Sequence, residues 1–217
     1  MLDTPSRILE VAEEMFADQG YRAVSLRSIT RACNANIAAV HYHFGSKEAV
    51  LERIFETHCS VMNGERIRRL EACREEPGRP PLLEQILDAY LRPALALPGA
   101  DERTRRFMRL RAAIAHEQAE LSQRLVAKHF NAVSGRFVEA LKAQLQHLTA
   151  EEVYWRFHFL LGAQYYTLAN PGRIQALSDG LCNPSDTERA VEELIAFVAA
   201  GLRAPGRATV SPPGKRE

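Results

Sequence analysis

Apolar residues return at intervals of three and four along most of this chain, the period of helices with one buried face. In the first such run Ile8, Val11, Ala12, Met15 and Phe16 share a face, with Thr4 as N-cap, Pro5 in the first helical position and Gly20 as the stop. Ser25 caps a short second helix, Leu26 to Cys33, closed by Asn34, a residue that tolerates the left-handed conformation. Asn36 caps a third, Ile37 to about Phe44, with Gly45 as its stop. Ser46 then caps a fourth, Lys47 to about Arg74, which the run Glu75, Glu76, Pro77, Gly78, Arg79, Pro80, Pro81 breaks.

Further helices are predicted at about Leu82 to Leu97 with a kink at Pro93, Arg103 to His116, Leu121 to His147, Glu151 to Asn170, and Thr187 to Leu202. Thr149 with Glu152, and Ser185 with Glu188, have the spacing of reciprocal capping boxes. No stretch of five or more alternating, β-branched residues reads as a strand, so the fold class is all-α. Three units are expected: a three-helix head over residues 1–46, a helical body over 47–203, and a tail over 204–217 whose prolines and glycines leave it disordered.

Composition narrows the class. With 217 residues, 46% hydrophobic and 25% charged, the chain can bury a core without staples. Arg, Glu, Gln or His interrupts every apolar run before it could span a bilayer. Met1 to Arg7 lacks a basic stretch followed by an apolar one, so no secretory signal is read and a cytoplasmic location is expected, away from membranes. Cys33, Cys59, Cys73 and Cys182 are irregularly spaced and read as free thiols. The net charge of +1 is uninformative, but its distribution is not. Between Gln19 and Lys47 stand Arg22, Arg27, Arg31 and Lys47 and no acid, a local cationic segment in a neutral chain.

That segment coincides with two short helices joined by Asn34-Ala35-Asn36, the helix-turn-helix arrangement whose second helix enters the DNA major groove. Val40 and Phe44, four apart, face the first helix, while Ala38, Ala39 and Tyr42 project oppositely, flanked by His41 and His43. Paired alanines permit close approach to base edges and methyl contact with thymine. The hydroxyl and imidazole groups of Tyr42, His41 and His43 suit phosphates, as does Lys47 at a helix N-terminus, and Arg27 is the side chain best placed for guanine. The DNA-contacting set is therefore Arg27, Asn36, Ala38, Ala39, His41, Tyr42, His43 and Lys47.

The stretch Ser25-Leu26-Arg27-Ser28-Ile29, followed by Asn34 through Glu48 with its closing Tyr42-His43-Phe44-Gly45-Ser46-Lys47-Glu48, resembles the DNA-binding domain of the TetR family of bacterial transcriptional regulators. Ala12, Phe16 and Gly20-Tyr21 in the first helix fit the same pattern, and the resemblance covers roughly the first 55 residues. Asn34 stands where that family has a glycine, Ala35 where it has a larger aliphatic, and His41 where it has a tyrosine that commonly touches DNA. The resemblance implies a homodimer on a pseudo-palindromic operator, with a variable body that takes a small ligand and thereby changes the spacing of the reading heads. Most relatives repress. More faintly, Phe107-Met108-Arg109-Leu110 and Trp155 through Ala163 resemble the subgroup that senses fatty acids or related stress compounds.

The body is far longer than DNA reading requires, so a small apolar or amphipathic effector is expected in it, walled by Phe107, Phe130, Phe137, Phe157, His158 and Tyr165 with Arg109 or Arg111 as anchor for an acidic group. Two recognition helices must lie about 34 to 36 Å apart, which calls for a two-fold partner. The last two long helices supply small residues for close approach and apolar area. Trp155, Phe159, Gly162, Ala163, Ile195, Ala196 and Ala199 are therefore assigned to the dimer interface, a four-helix bundle of about 2,000 Å² or more. No metal or cofactor is expected. His41 and His43, two apart on a helix, point nearly opposite ways, and His58-Cys59 lacks further ligands at metal spacing. The competing classes are an all-α enzyme, against which stands the lack of any nucleophile elbow or phosphate-binding loop, and a ligand-binding bundle that does not bind DNA.

Overall fold

The computed structural model describes residues 3–73, 81–95, 102–169 and 171–207, and among these the regular structure is entirely helical. The order is α1 (Thr4–Gln19), α2 (Leu26–Ala32), α3 (Ile37–His43), α4 (Lys47–Ala72), α5 (Leu83–Leu95), α6 (Glu102–Glu117), α7 (Ala119–Gln144), α8 (Ala150–Ala169), α9 (Pro171–Leu177) and α10 (Thr187–Arg203). No helix among the described residues is long and apolar enough to cross a membrane.

Local chemistry sets the boundaries of the head. Asp3, one residue earlier than expected, caps α1 by accepting the Ser6 amide at 2.9 Å, with Pro5 in the first turn. Ser25 and Ser28 exchange amide-to-hydroxyl bonds of 3.1 and 2.9 Å at the start of α2. Asn34 takes φ of 50° in the turn, Asn36 accepts the Ala38 amide at 2.9 Å to open α3, Gly45 at φ 78° ends it, and Ser46 caps α4.

In the body, Thr149 and Glu152 form the expected reciprocal cap of α8. The second expected box does not form. Asp186 caps α10 by accepting the Arg189 amide, and Glu188 turns instead to an ion pair with Arg92 of α5. Helix α9 has no counterpart among the predicted elements, and α5 continues through Pro93 to Leu95. Most of the predicted 75–81 break and the end of the predicted helix at Leu97 lie outside the described residues. Of the tail expected to be disordered, residues 204–207 lie against α8: Arg156 donates to the carbonyls of Ala204 and Pro205, and Glu152 accepts from the Arg207 amide. The remainder, 208–217, is outside the described residues.

Two apolar clusters hold the molecule together, and the first of them crosses the division at residue 46. The first joins Ile8, Phe16, Ile29 and Val40 of the head to Phe55 of α4, to Phe107, Leu110 and Ile114 of α6, and to Leu121 and Leu125 of α7. The second joins Leu70, the buried face of α5, Phe137 and Leu141 of α7, Phe157 and Leu160 of α8, and Val191, Val198 and Leu202 of α10. Helices α4 and α7 run through both, so the head sits on a continuous helical body.

Candidate nucleic-acid interface and body cavity

The α2–α3 unit presents one clean face. Val40 is fully buried and Phe44 packs on the head core, which turns Ala38, His41, Tyr42 and His43 to solvent and leaves Ala39 half-buried. Tyr42 is 86% exposed, an unusual setting for an aromatic ring, and makes an edge contact to His43 at 5.0 Å. Arg27 is exposed in the first turn of α2. The Nδ1–H of His41 donates to the Gly45 carbonyl at 3.1 Å, since a carbonyl only accepts; this leaves Nε2 as the other site of the ring. Asn36 has its carbonyl oxygen engaged in the cap, so its amide group is what remains for a partner.

Lys47, expected from the sequence as a phosphate ligand at the start of α4, is also engaged within the head. Its ammonium donates to the carbonyls of Tyr21 and Val24, both at 2.7 Å, and lies 4.2 Å from the centre of the Tyr21 ring. Two of its three N–H groups thus tie the α1–α2 turn to α4. Burial pushes its pKa down, with the Glu117 charge opposing.

Between the two apolar clusters lies a cavity of about 720 Å³, walled by α4 through α8. Of the residues expected to line a ligand site, Arg111, Phe130, Phe157, His158 and Tyr165 do. Phe107, Phe137 and Arg109 do not. Phe107 is core, stacked on His58 at 4.2 Å; Phe137 is core, edge-on to Tyr90 at 4.9 Å; and Arg109 lies 3.9 Å from Asp18 at the surface. Arg109 and Arg111 are two apart on a helix, so only one of them can face the cavity.

The sequence reading missed Arg66, Met62, Met108 and Gln164 in this wall. A signal for Arg66 was present. Cys59, Asn63, Arg66 and Leu70 recur at spacings of four, three and four, so Arg66 interrupts the buried stripe of α4, where it is 2% exposed.

Helix α6 connects the two regions. It carries Met108 and Arg111 at the cavity and ends at Glu117, whose carboxylate accepts the Arg22 amide of the head at 2.8 Å. Gly20, at φ 86°, makes room for this contact: a Cβ there would lie 2.2 Å from the Glu117 carboxylate.

On α8, Trp155, Phe159, Gly162 and Tyr166 form an exposed stripe, of which Gly162 also borders the cavity, and Phe197 of α10 is 71% exposed. Two expected interface residues are engaged within their own chain: Ala199 is 2% exposed in the core and Ile195 packs against it, while Ala196 is exposed beside α5. Ala163 is half-buried and also contacts the core.

Residues 8–54 match the family model described as bacterial regulatory proteins, tetR family, and residues 88–201 match the tetracyclin repressor-like C-terminal domain. The HTH-type transcriptional regulator UidR of Escherichia coli K12 is 35% identical over 51 residues, 24% of this chain and 26% of that protein. The HTH-type transcriptional repressor KstR2 of Mycolicibacterium smegmatis is 27% identical over 126 residues, 55% of this chain and 50% of that protein. The matched region thus spans from about a quarter to half the length of these curated relatives. Among solved structures, the fatty acid degradation regulator FadR of Bacillus halodurans superposes with a TM-score of 0.64 at 16% identity, covering 94% of this chain and 98% of that one. The regulator PfmR of Thermus thermophilus gives 0.62 at 19% identity, covering 96% and 100%. At such identities these two speak for the fold alone.

Proposed function

The chain belongs to the TetR family of bacterial transcriptional regulators, and from that premise we propose that it is a ligand-responsive repressor that binds a pseudo-palindromic operator as a homodimer and leaves it when a small molecule fills the body cavity. The observation that carries this reading is the exposed face of α3, with Ala38, Tyr42, His41 and His43 turned to solvent beside Arg27, on a head whose core is shared with the cavity-lining helix α6. Residues 1–46 read DNA in this proposal, and 47–203 sense the ligand and dimerise. The Arg27 guanidinium reads a guanine, the alanines admit the α3 backbone to the base edges, and Tyr42, His43 and the free edge of His41 hold phosphates.

A release mechanism follows from α6. Met108 and Arg111 face the cavity about two turns before Glu117, which grips the α1–α2 turn. A ligand that displaces α6 pulls on the head through Glu117 and through Leu110 and Ile114 in the head core, and so alters the separation of two recognition helices.

Titration of a labelled duplex from directly upstream of the protein's own gene tests the reading. Saturable binding in the range of about 10⁻⁸ to 10⁻¹¹ M at physiological salt, resistant to random competitor DNA, is the expected result. Binding no tighter than about 10⁻⁶ M, and equal for random duplex, would leave a helical ligand-binding protein or an enzyme as the better description.

A further inference from the structure

A guanidinium withdrawn from water needs a carboxylate, a ring of carbonyls or a bound anion to compensate it. The body cavity holds two that lack the first. Arg66 donates from Nε to the Tyr90 carbonyl at 2.8 Å and from Nη1 to the Asn63 amide oxygen at 3.3 Å, and rests 3.9 Å from the centre of the Tyr90 ring. Arg111 has less: a weak 3.7 Å contact to the Met108 sulfur, with the faces of Phe130 at 4.8 Å and Tyr165 at 5.9 Å. Its Nε is shielded from solvent and has no hydrogen-bond partner, while the rest of the side chain stays accessible as part of the wall.

The surrounding charges sharpen the contrast. Arg69, three residues after Arg66 on the same helix, is paired with Glu65 at 2.7 Å and Asp88 at 3.2 Å. No carboxylate pairs with Arg66 or Arg111 among the described residues, and burial together with the neighbouring cation pushes the Arg66 pKa down. Burial alone leads the same downward shift at Arg111. The remaining wall is largely apolar and adaptable, with Met62, Met108, Val138 and Leu161 among its members.

We propose that Arg66 and Arg111 form the headgroup site for an amphipathic carboxylic acid whose apolar body fills the rest of this cavity, a ligand class assigned on the footing that the cavity is the effector site. A planar carboxylate matches the guanidinium fork, and from the cavity it supplies an anion to the accessible part of an Arg111 side chain that no carboxylate among the described residues pairs. One guanidinium comes from α4 and the other from α6, so the bound carboxylate bridges the helix that leads into the head and the helix that grips it through Glu117.

The test is calorimetric titration of the full chain with straight-chain acids from octanoate to hexadecanoate, each beside the alcohol of equal length. At least one acid should bind ten-fold or more tighter than its alcohol. Arg111→Met should remove that preference, lowering acid affinity at least ten-fold while leaving the alcohol unchanged or tighter. Because this variant deletes an uncompensated cation, its melting temperature without ligand should equal or exceed the parent's. Arg66→Met serves as the second variant, with circular dichroism to establish that it folds. Failure of every acid to bind, equal binding of acid and alcohol, or an acid preference untouched by Arg111→Met overturns the proposal. Operator release measured in parallel separates the two levels. An acid that binds through Arg111 and leaves DNA affinity unchanged supports the headgroup site and sinks the effector reading; an alcohol that releases DNA with no acid preference does the reverse.

Discussion

Lys47 illustrates how one side chain can serve fold and function through the same charge. A lysine at the N-terminus of a helix below a recognition unit is an obvious phosphate ligand on sequence grounds. In the folded chain its ammonium closes the α1–α2 turn through two carbonyls, and Tyr21, whose ring it covers, is part of the head core. Hydrogen bonds from a charged donor are stronger than neutral ones, so Lys47→Met should destabilise the chain by about 2 kcal/mol in urea denaturation. DNA affinity should fall with it for every sequence. A Lys47→Met protein with parental stability and a salt slope of DNA binding reduced by about 1 would return Lys47 to the role of a simple phosphate contact.

At the level of whole elements, Arg156 does for α10 what Asn36 does for α3, at the opposite end and across the fold. Its guanidinium donates to the carbonyls of Gly201, Leu202, Ala204 and Pro205 at 2.8, 3.0, 2.6 and 2.9 Å, collecting acceptors that the helix C-terminus leaves unpaired. Arg156→Met should therefore cost about 2 kcal/mol of stability and speed amide exchange selectively in the last turn of α10, which hydrogen-exchange mass spectrometry would localise. Unchanged exchange there would mean that water caps the helix equally well. The caps of α2, α3, α4 and α8 were legible in the sequence because each joins residues two or three apart, and so depends on no other element. The Arg156 cap and the loss of Glu188 to Arg92 were not, because each partner comes from another helix. Seven residues opened by Pro171-Gly172 gave α9 too little period to read. In the cavity wall the aromatic signal was ambiguous for the same reason. Phe107 and Phe137 are as apolar as Phe130 and Phe157, and only the crossing of α4, α7 and α8 decides which pair meets the void.

For the whole molecule, the decisive question is what covers α8 and α10. Trp155, Phe159 and Tyr166 are each more than half exposed, Phe197 is 71% exposed, and Ala200 and Gly201 beside it are small enough to admit a second backbone. A protomer seldom leaves so many large apolar side chains to water, and two copies related by a two-fold axis would cover them in the four-helix bundle the proposed function requires. Ala199, one of the small residues assigned to the interface from the sequence, is the wrong place to test this, since a charge there enters the protomer's own core and unfolds it whether or not a dimer exists. Phe197 is the right one. Within a single chain Phe197→Glu places a carboxylate in solvent, so protomer stability should shift by no more than about 0.5 kcal/mol, while in the bundle it buries unpaired charge on both sides of the axis. Sedimentation equilibrium should then report a folded monomer, and operator binding should collapse to the non-specific level although the head is untouched, because one head reads only a half-site. A Phe197→Glu protein that sediments as a dimer and binds its operator with parental affinity would place the two-fold axis on another face.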